Sequence, residues 1–279
     1  MKKSDFENRK ISELWKAGRL LIGKTQKELS LELGISQSSI SKVETLGLEP
    51  SASDWYNFCR LVGIDAHKTM ELGYIDGKKK FKHRLFSEAL FKLPLKYKRD
   101  FSLKIRELIP FKDCVQSELG ADAWEAFVEE KKIDGEMFLI YDFQVSMDLL
   151  NDLIRWCEER RFDVLEKVKP YSSSFSSHGI LQEEYTRKKT ATDLLKTMLD
   201  DQIFYQKVFR TEVHSTKRSL EASILINTEI PDFFKEDVVS QYVNYKIASF
   251  QEALRANANF NSEFDVRENG TDVRFRMAI

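Results

Sequence analysis

The sequence predicts a multidomain chain: an all-α N-terminal domain, a helical connector and an α+β C-terminal domain. Three observations carry this reading. Up to residue 73, apolar residues recur at helical spacing, with hydroxyl residues and glycines placed between the runs as caps and exits. Charge then divides the chain. Residues 1–73 hold 11 Lys or Arg against 10 Asp or Glu, residues 78–106 hold 11 against 2, and residues 107–279 hold 22 against 32. A near-neutral head, a basic belt and an acidic body therefore follow one another. Finally, the last 70 residues read as strands around one helix. The expected domains are 1–73, a connector or start of a second domain at 74–106, and 107–279, with Gly73, Asp76 and Gly77 at the first boundary.

Length and composition limit the classes. The chain has 279 residues, 42% of them hydrophobic and 32% charged, enough for more than one core. Its 20 Phe supply large core side chains. No run approaches the roughly 20 apolar residues that span a bilayer. The opening MKKSDFENRK has no apolar signal-peptide core behind it. Cys59, Cys114 and Cys157 are odd in number, far apart and in no CxxC pair, which predicts a reducing, cytoplasmic compartment.

The head is read element by element. Ile11, Leu14, Leu21 and Ile22 predict a first helix near residues 6–22, ended by Gly23. Thr25 caps a second helix, and Glu28 stands three residues on at the capping-box spacing. Leu29 and Leu33 make its inner face, and Gly34 permits a tight exit. Ser36 caps a third helix with Ile40 and Val43 inward and Gln37, Ser38, Ser41 and Lys42 outward. After Pro50, Trp55, Phe58, Leu61 and Val62 give a fourth helix its apolar side, ending at Gly63. Trp55 and Cys59 fit either the core or a subunit interface. Two short helices about so tight a turn make a helix-turn-helix.

The stretch GKTQKELSLELGISQSSISKVE resembles the helix-turn-helix of phage-repressor-type bacterial transcription regulators, over about residues 11–64. The match includes the Gly-x-Thr-Gln lead, the Leu-Gly-Ile-Ser turn and the Ile-Ser-x-x-Glu of the third helix. The resemblance implies a domain that reads DNA with that third helix, usually as a symmetric dimer. It places Gln26 on the phosphate backbone and Gln37, Ser38 and Lys42 toward the major groove. It makes Arg19 and Glu44 a partly buried ion pair tying helix one to helix three. After Glu44 the family shows a short Gly-containing turn with a basic residue. Here the chain reads TLGLEP, with no positive charge, which removes one phosphate contact.

Side-chain chemistry points the same way. Gln bonds adenine through two hydrogen bonds, and Ser is a small reader of base edges. Ser41 joins them on the outward face, while Lys16, Lys24 and Lys27 are candidate backbone contacts that position without specifying. The alternative is a helix-turn-helix that only packs or docks a protein. The basic belt Lys78–Arg84 has two readings too, a surface lying over phosphates or the solvated face of a connecting helix anchored by Phe81, Leu85, Leu90 and Phe91.

In the acidic body, ADAWEAFVEEKK, SMDLLNDLIRWCEERR and TATDLLKTMLDDQIFYQKVF read as helices. In the second of these, Leu149, Leu150, Leu153, Ile154 and Cys157 face inward. EMFLIYDF reads as a short strand or buried segment, and PYSSSFSSHGI as a loop. Two strands meet near residues 215–219, DVVSQYVNYKIASFQEALRAN is a helix, and the ENGT turn joins a C-terminal hairpin.

Catalytic and metal chemistry find no motif. His67, His83, His178 and His214 form no HxH or HExxH, and with the cysteines no zinc spacing. There is no GxxxxGK[ST] and no GxGxxG loop. The expectation is therefore a non-enzymatic, sequence-specific double-stranded DNA-binding transcription regulator of repressor-like type, without cofactor or metal. It would act as a homodimer whose heads read half-sites about 34 Å apart. Its body would sense a small-molecule or protein effector or serve as a rigid dimerising scaffold, with no membrane partner. The competing readings are a protein-interaction scaffold that does not bind DNA and an enzyme in the C-terminal body.

Overall fold

The computed structural model describes residues 3–75, 89–98 and 103–171, single positions 187, 193 and 197, and four strands within residues 209–278. The chain divides into two compact units. The first comprises residues up to Pro94 together with Val128–Gln144, and the second Leu95–Phe127 together with Val145 onward. The fold is an N-terminal all-α bundle followed by a mixed α and β region.

The first unit opens with α1 (Lys3–Leu21), α2 (Gln26–Leu33), α3 (Gln37–Leu46), α4 (Ala52–Val62) and α5 (Ala66–Leu72). Each helix after the first begins at a side-chain cap that satisfies a free backbone N–H. Thr25 and Glu28 form the full capping box of α2, Ser36 caps α3, Ser51 caps α4 and Asp65 caps α5. The turn between α2 and α3 closes through Gly34, whose φ of 68° lies in the left-handed region that favours glycine. Leu14, Trp15, Leu21, Leu29, Ile40, Val43, Phe58 and Val62 are buried together as the core of the bundle. Trp15 stacks on Phe58 with ring centroids 4.3 Å apart, and Trp55 lies 5.8 Å from Phe58. Cys59 is buried. Leu61, expected on the inner side of α4, is 36% exposed instead. The inward arc of α4 is filled by Phe58, Cys59 and Val62, which leaves Leu61 at its margin.

This unit continues past α5. Tyr74 stacks on Tyr141 with centroids 3.6 Å apart and planes 3° from parallel. Beside them Ile75 forms a parallel bridge with Ile140, donating its N–H to the Leu139 carbonyl and accepting from the Tyr141 N–H. The Leu90 N–H donates to the Leu20 carbonyl, and the Lys92 N–H donates to Asp134 Oδ2 at 2.7 Å. EMFLIYDF is thus a buried segment containing a 3₁₀ turn (Gly135–Leu139), with Met137, Phe138 and Ile140 fully or nearly fully buried. Of the connector anchors, Phe91 is buried and Leu90 is 45% exposed, while Phe81, Leu85 and Lys78–Arg84 lie outside the described residues.

The second unit contains α6 (Ile109–Glu118), most of α7 (Ala121–Glu130), α8 (Asp148–Glu159) and the short α9 (Val164–Lys167). A two-residue ladder joins β1 (Leu103–Lys104) to β2 (Gln144–Val145). On α8, Leu149, Leu150, Leu153, Ile154 and Cys157 all face inward. Trp156 is buried with them, edge-on to Phe127 at 5.6 Å, and the Arg160 guanidinium lies 3.7 Å over its ring. The four strands β3 (Phe209–Ser215), β4 (Ser219–Ile226), β5 (Phe264–Asn269) and β6 (Asp272–Ala278) form an antiparallel sheet in the order β3-β4-β6-β5. The register pairs Ser215 with Leu220 and Asn269 with Asp272, so both expected hairpins are present, the second closing through Gly270 and Thr271. The serine-rich loop beyond Tyr171, most of the helix expected after Thr190 and the helix expected between β4 and β5 fall outside the described residues.

Candidate functional site

The α2–turn–α3 surface of the first unit carries most of the groups singled out in the sequence. Behind it lies a buried polar knot. Arg19 donates to Glu44 through Nε at 2.6 Å and through its second terminal nitrogen at 2.7 Å, and its remaining terminal nitrogen donates to the Lys24 carbonyl at 2.7 Å. The side chains of Arg19 and Glu44 are 9% and 3% exposed. Gln26 Nε2 donates to the same carboxylate at 2.9 Å, and Ser12 Oγ donates to the Glu44 carbonyl at 3.1 Å. A charge pair this far from water is tolerable because every oxygen of the carboxylate finds a donor. The knot ties α1, α2 and α3 together through one residue.

The other expected contact residues divide into two groups. Lys16 pairs with Glu136 of the returning segment, and Lys24 pairs with Glu32 at 2.5 Å. These two, with Gln26, are bonded within the unit. Lys27, Gln37, Ser38 and Lys42 are exposed, and Ser41 is half-buried with its carbonyl accepting from Thr45 Oγ1 at 2.7 Å. The Glu28 carboxyl is held below its ordinary value by the Thr25 N–H and then by the Thr25 hydroxyl, both of which donate to the carboxylate.

Sequence reasoning passed over the apolar members of this surface. Leu31 is 75% exposed, Leu46 69% and Leu48 50%, and on α4 Tyr56 is 62% exposed. Leu31 was legible: it lies two positions from both Leu29 and Leu33, about 200° around the helix from a face that points inward. Leu46 and Leu48 bracket Gly47, which ends α3 with φ of 65° and donates its N–H to the Lys42 carbonyl. The Leu48 N–H also donates to that carbonyl, at 3.4 Å, so the chain folds back over the last turn of α3 and sets both leucines at its end. A solvent-facing cluster of large apolar side chains at a helix end is a feature of protein contact surfaces.

No catalytic constellation accompanies this surface. Among the described residues no group of three His, Cys, Asp or Glu is placed to hold a metal ion. His67 is exposed on α5, and His83 and His178 lie outside the described residues. Cys59, Cys114 and Cys157 are free and buried, and burial pushes each thiol up to about 12. A thiol so placed is a packing group and not a nucleophile. Among the described residues, no helix is long and apolar enough to cross a membrane.

The geometry defines a capped, tight-turned pair of helices on a small bundle. Residues 16–67 match the helix-turn-helix family model, and the head is an N-terminal helix-turn-helix domain of the phage-repressor family. No curated relative matches the chain. Among solved structures, an Fe(II) unliganded H-NOX protein from K. algicida is similar at a TM-score of 0.44 and 13% identity, over 63% of this chain and 96% of that one. A triple mutant of an H-NOX protein from S. oneidensis gives 0.44 and 8%, over 63% and 95%. An oxygen-binding H-NOX domain related to soluble guanylate cyclases gives 0.43 and 10%, over 63% and 93%.

These findings correct the expectation that the whole chain is a sequence-specific, double-stranded DNA-binding transcription regulator of repressor-like type. The family match behind it covers only residues 16–67 of the 279, so it describes the head and not the chain as a whole. Duplex DNA as the partner is corrected with it. In the structure, Lys16, Lys24 and Gln26 bond to Glu136, Glu32 and Glu44. A homodimer and an effector serve a regulator that reads two half-sites, and both expectations are corrected with it.

Proposed function

We propose that this chain is a non-catalytic, cytoplasmic interaction scaffold whose helix-turn-helix head docks a protein. One observation carries the reading. At the end of α3, the helix that reads DNA in phage-repressor-type domains, the surface ends in Leu46 and Leu48, 69% and 50% exposed. The turn that follows has an exposed Glu49 and no cation. A phosphate backbone offers neither an apolar surface for the leucines nor a cation for the glutamate. A protein surface offers the first, and covering the exposed parts of the two leucines is worth about 1–2 kcal/mol each in transfer from water. The three free buried thiols support a reducing compartment.

A photo-crosslinking residue in place of Leu46 in the full chain tests this in the native cell, with the same residue in place of exposed Glu125 of the second unit as control. The expected result is a crosslink from position 46 to a distinct protein that binds the purified chain and is lost in the Leu48→Ser background. Crosslinks to nucleic acid alone, or the same products from position 125, overturn the reading.

A further inference from the structure

The exposed face of α3 has a direction. It begins with Gln37 and Ser38, passes Lys42 and Thr45, and ends in Leu46 and Leu48. Lys42 and Leu46 are four apart and therefore neighbours on one face of the helix. The single carboxylate of α3 is Glu44, which points the other way into the knot with Arg19 and Gln26, 3% exposed. Lys42 has no carboxylate partner among the described residues, so it stands as an unpaired cation beside two unpaired leucines. The arrangement recurs on the adjoining helices. Lys27 precedes exposed Leu31 by four on α2, and exposed Tyr56 precedes exposed Arg60 by four on α4. Neither Lys27 nor Arg60 has a carboxylate partner among the described residues. Glu28 and Asp54, by contrast, are engaged by Thr25 and Ser51 at the caps, and Glu32 by Lys24.

Resting on the reading of the head as a protein-docking module, we infer that its partner presents an acidic, apolar segment laid along α3, with a carboxylate at Lys42 and apolar side chains on Leu46 and Leu48. The charge argument decides the sign. On the α3 face the available groups are hydrogen-bonding hydroxyls and amides, one free ammonium and apolar surface, and no exposed carboxylate until Glu49 beyond the turn. A basic segment would set like charges together at Lys42 and leave the leucines uncovered. A purely apolar segment would cover the leucines but leave the Lys42 ammonium at the edge of the contact without a counter-charge, so nothing would set its direction along the helix. The helix of 10 residues is about 15 Å long, so the recognised segment is about three helical turns or four to five extended residues. Its affinity comes from the apolar end and its orientation from the charge.

The test is a selection of random 16-residue peptides displayed against the immobilised full chain at physiological salt. Enriched peptides are expected to combine Asp or Glu with Leu, Phe or Trp on one face. Lys42→Glu should weaken a selected peptide at least tenfold, and Leu46→Ser with Leu48→Ser should abolish its binding. Gln26→Ala, behind the surface, should change it less than threefold. All four positions are checked for retained fold by circular dichroism, and a charge-restoring peptide with Lys in place of its carboxylate should regain binding to Lys42→Glu. Enrichment of peptides without carboxylates, equal binding to the Lys42→Glu chain, no enrichment, or displacement of the peptide by random duplex DNA overturns the inference. A specific protein crosslink at position 46 together with selected peptides that lack acidic residues removes this inference and leaves the docking reading in place. Loss of both removes both.

Discussion

Glu44 accepts two hydrogen bonds from the Arg19 guanidinium, at 2.6 and 2.7 Å, with both side chains almost wholly out of water. Removing one member leaves the other charged, buried and unpaired. Glu44→Ala is therefore expected to destabilise the chain by about 3–5 kcal/mol. Replacing both with apolar residues of similar volume, Arg19→Met with Glu44→Leu, should cost much less than the single change. Urea unfolding of the three proteins, followed by tryptophan fluorescence, measures the difference; an equal loss in single and double variants would refute the role given to the pair.

Gly18 lies on α1 against Phe58. A Cβ built there would sit 2.7 Å from the ring's Cζ, closer than carbon atoms approach. Phe58 cannot swing away, because it is fully buried and stacked on Trp15. Alanine in a helix interior is otherwise favoured over glycine by about 1 kcal/mol. Overpacking of about 1–3 kcal/mol opposes this. Gly18→Ala is expected to lower the unfolding midpoint, and Phe58→Leu in the same chain to recover part of the loss.

Leu46 and Leu48 face solvent, so the fold does not depend on them. Leu46→Ser and Leu48→Ser should each leave stability within about 0.5 kcal/mol of the parent. Thermal unfolding checks this. A loss above about 2 kcal/mol would mean that these residues belong to a core, and would withdraw them from any docking surface.

The Glu28 carboxyl is depressed below its ordinary 4.5, first by the Thr25 N–H and then by the Thr25 hydroxyl. A depressed carboxylate stabilises the fold above its unfolded value and loses that contribution as pH falls through its folded value. Comparing the parent with Glu28→Gln from pH 7 to pH 3, the stability difference should be present at pH 6 and shrink below pH 4.5. A difference that stays constant across this range would refute the capping-box account.

The three thiols are buried and pushed up to about 12. They should not react with a thiol-specific disulfide reagent at pH 8 in the folded chain, and all three should react once it is unfolded. Because their folded values are raised, stability is expected to fall as pH rises above about 9, where the unfolded thiols ionise first. Rapid modification of any one in the native protein would show that its helix opens to solvent.

How much was legible depends on how far apart in the chain the deciding atoms lie. The caps Thr25 and Ser36, the box residue Glu28 and the exit Gly34 act within three or four positions, and each was readable. The same holds for the two hairpins, whose turns sit between short alternating runs. The inward set of α8 followed from the 3.6-residue period, although Trp156 was not counted with it. Arg19 and Glu44 were named from the family resemblance, since nothing in their spacing pairs residues 25 positions apart.

By itself, then, the sequence determined the local elements, the helix-turn-helix head and the presence of a mixed body behind it. Only the tertiary structure decided what those elements face. It took the return of Val128–Gln144 to place Glu136 on Lys16 and Tyr141 on Tyr74. It took the assembled bundle to turn Gln26 toward Glu44 and leave Leu46 and Leu48 in solvent. The physical reason is that caps and periods are set by bonds between near neighbours, whereas exposure and pairing are set by whichever distant segment closes over a face. Residue type alone does not tell which segment that is.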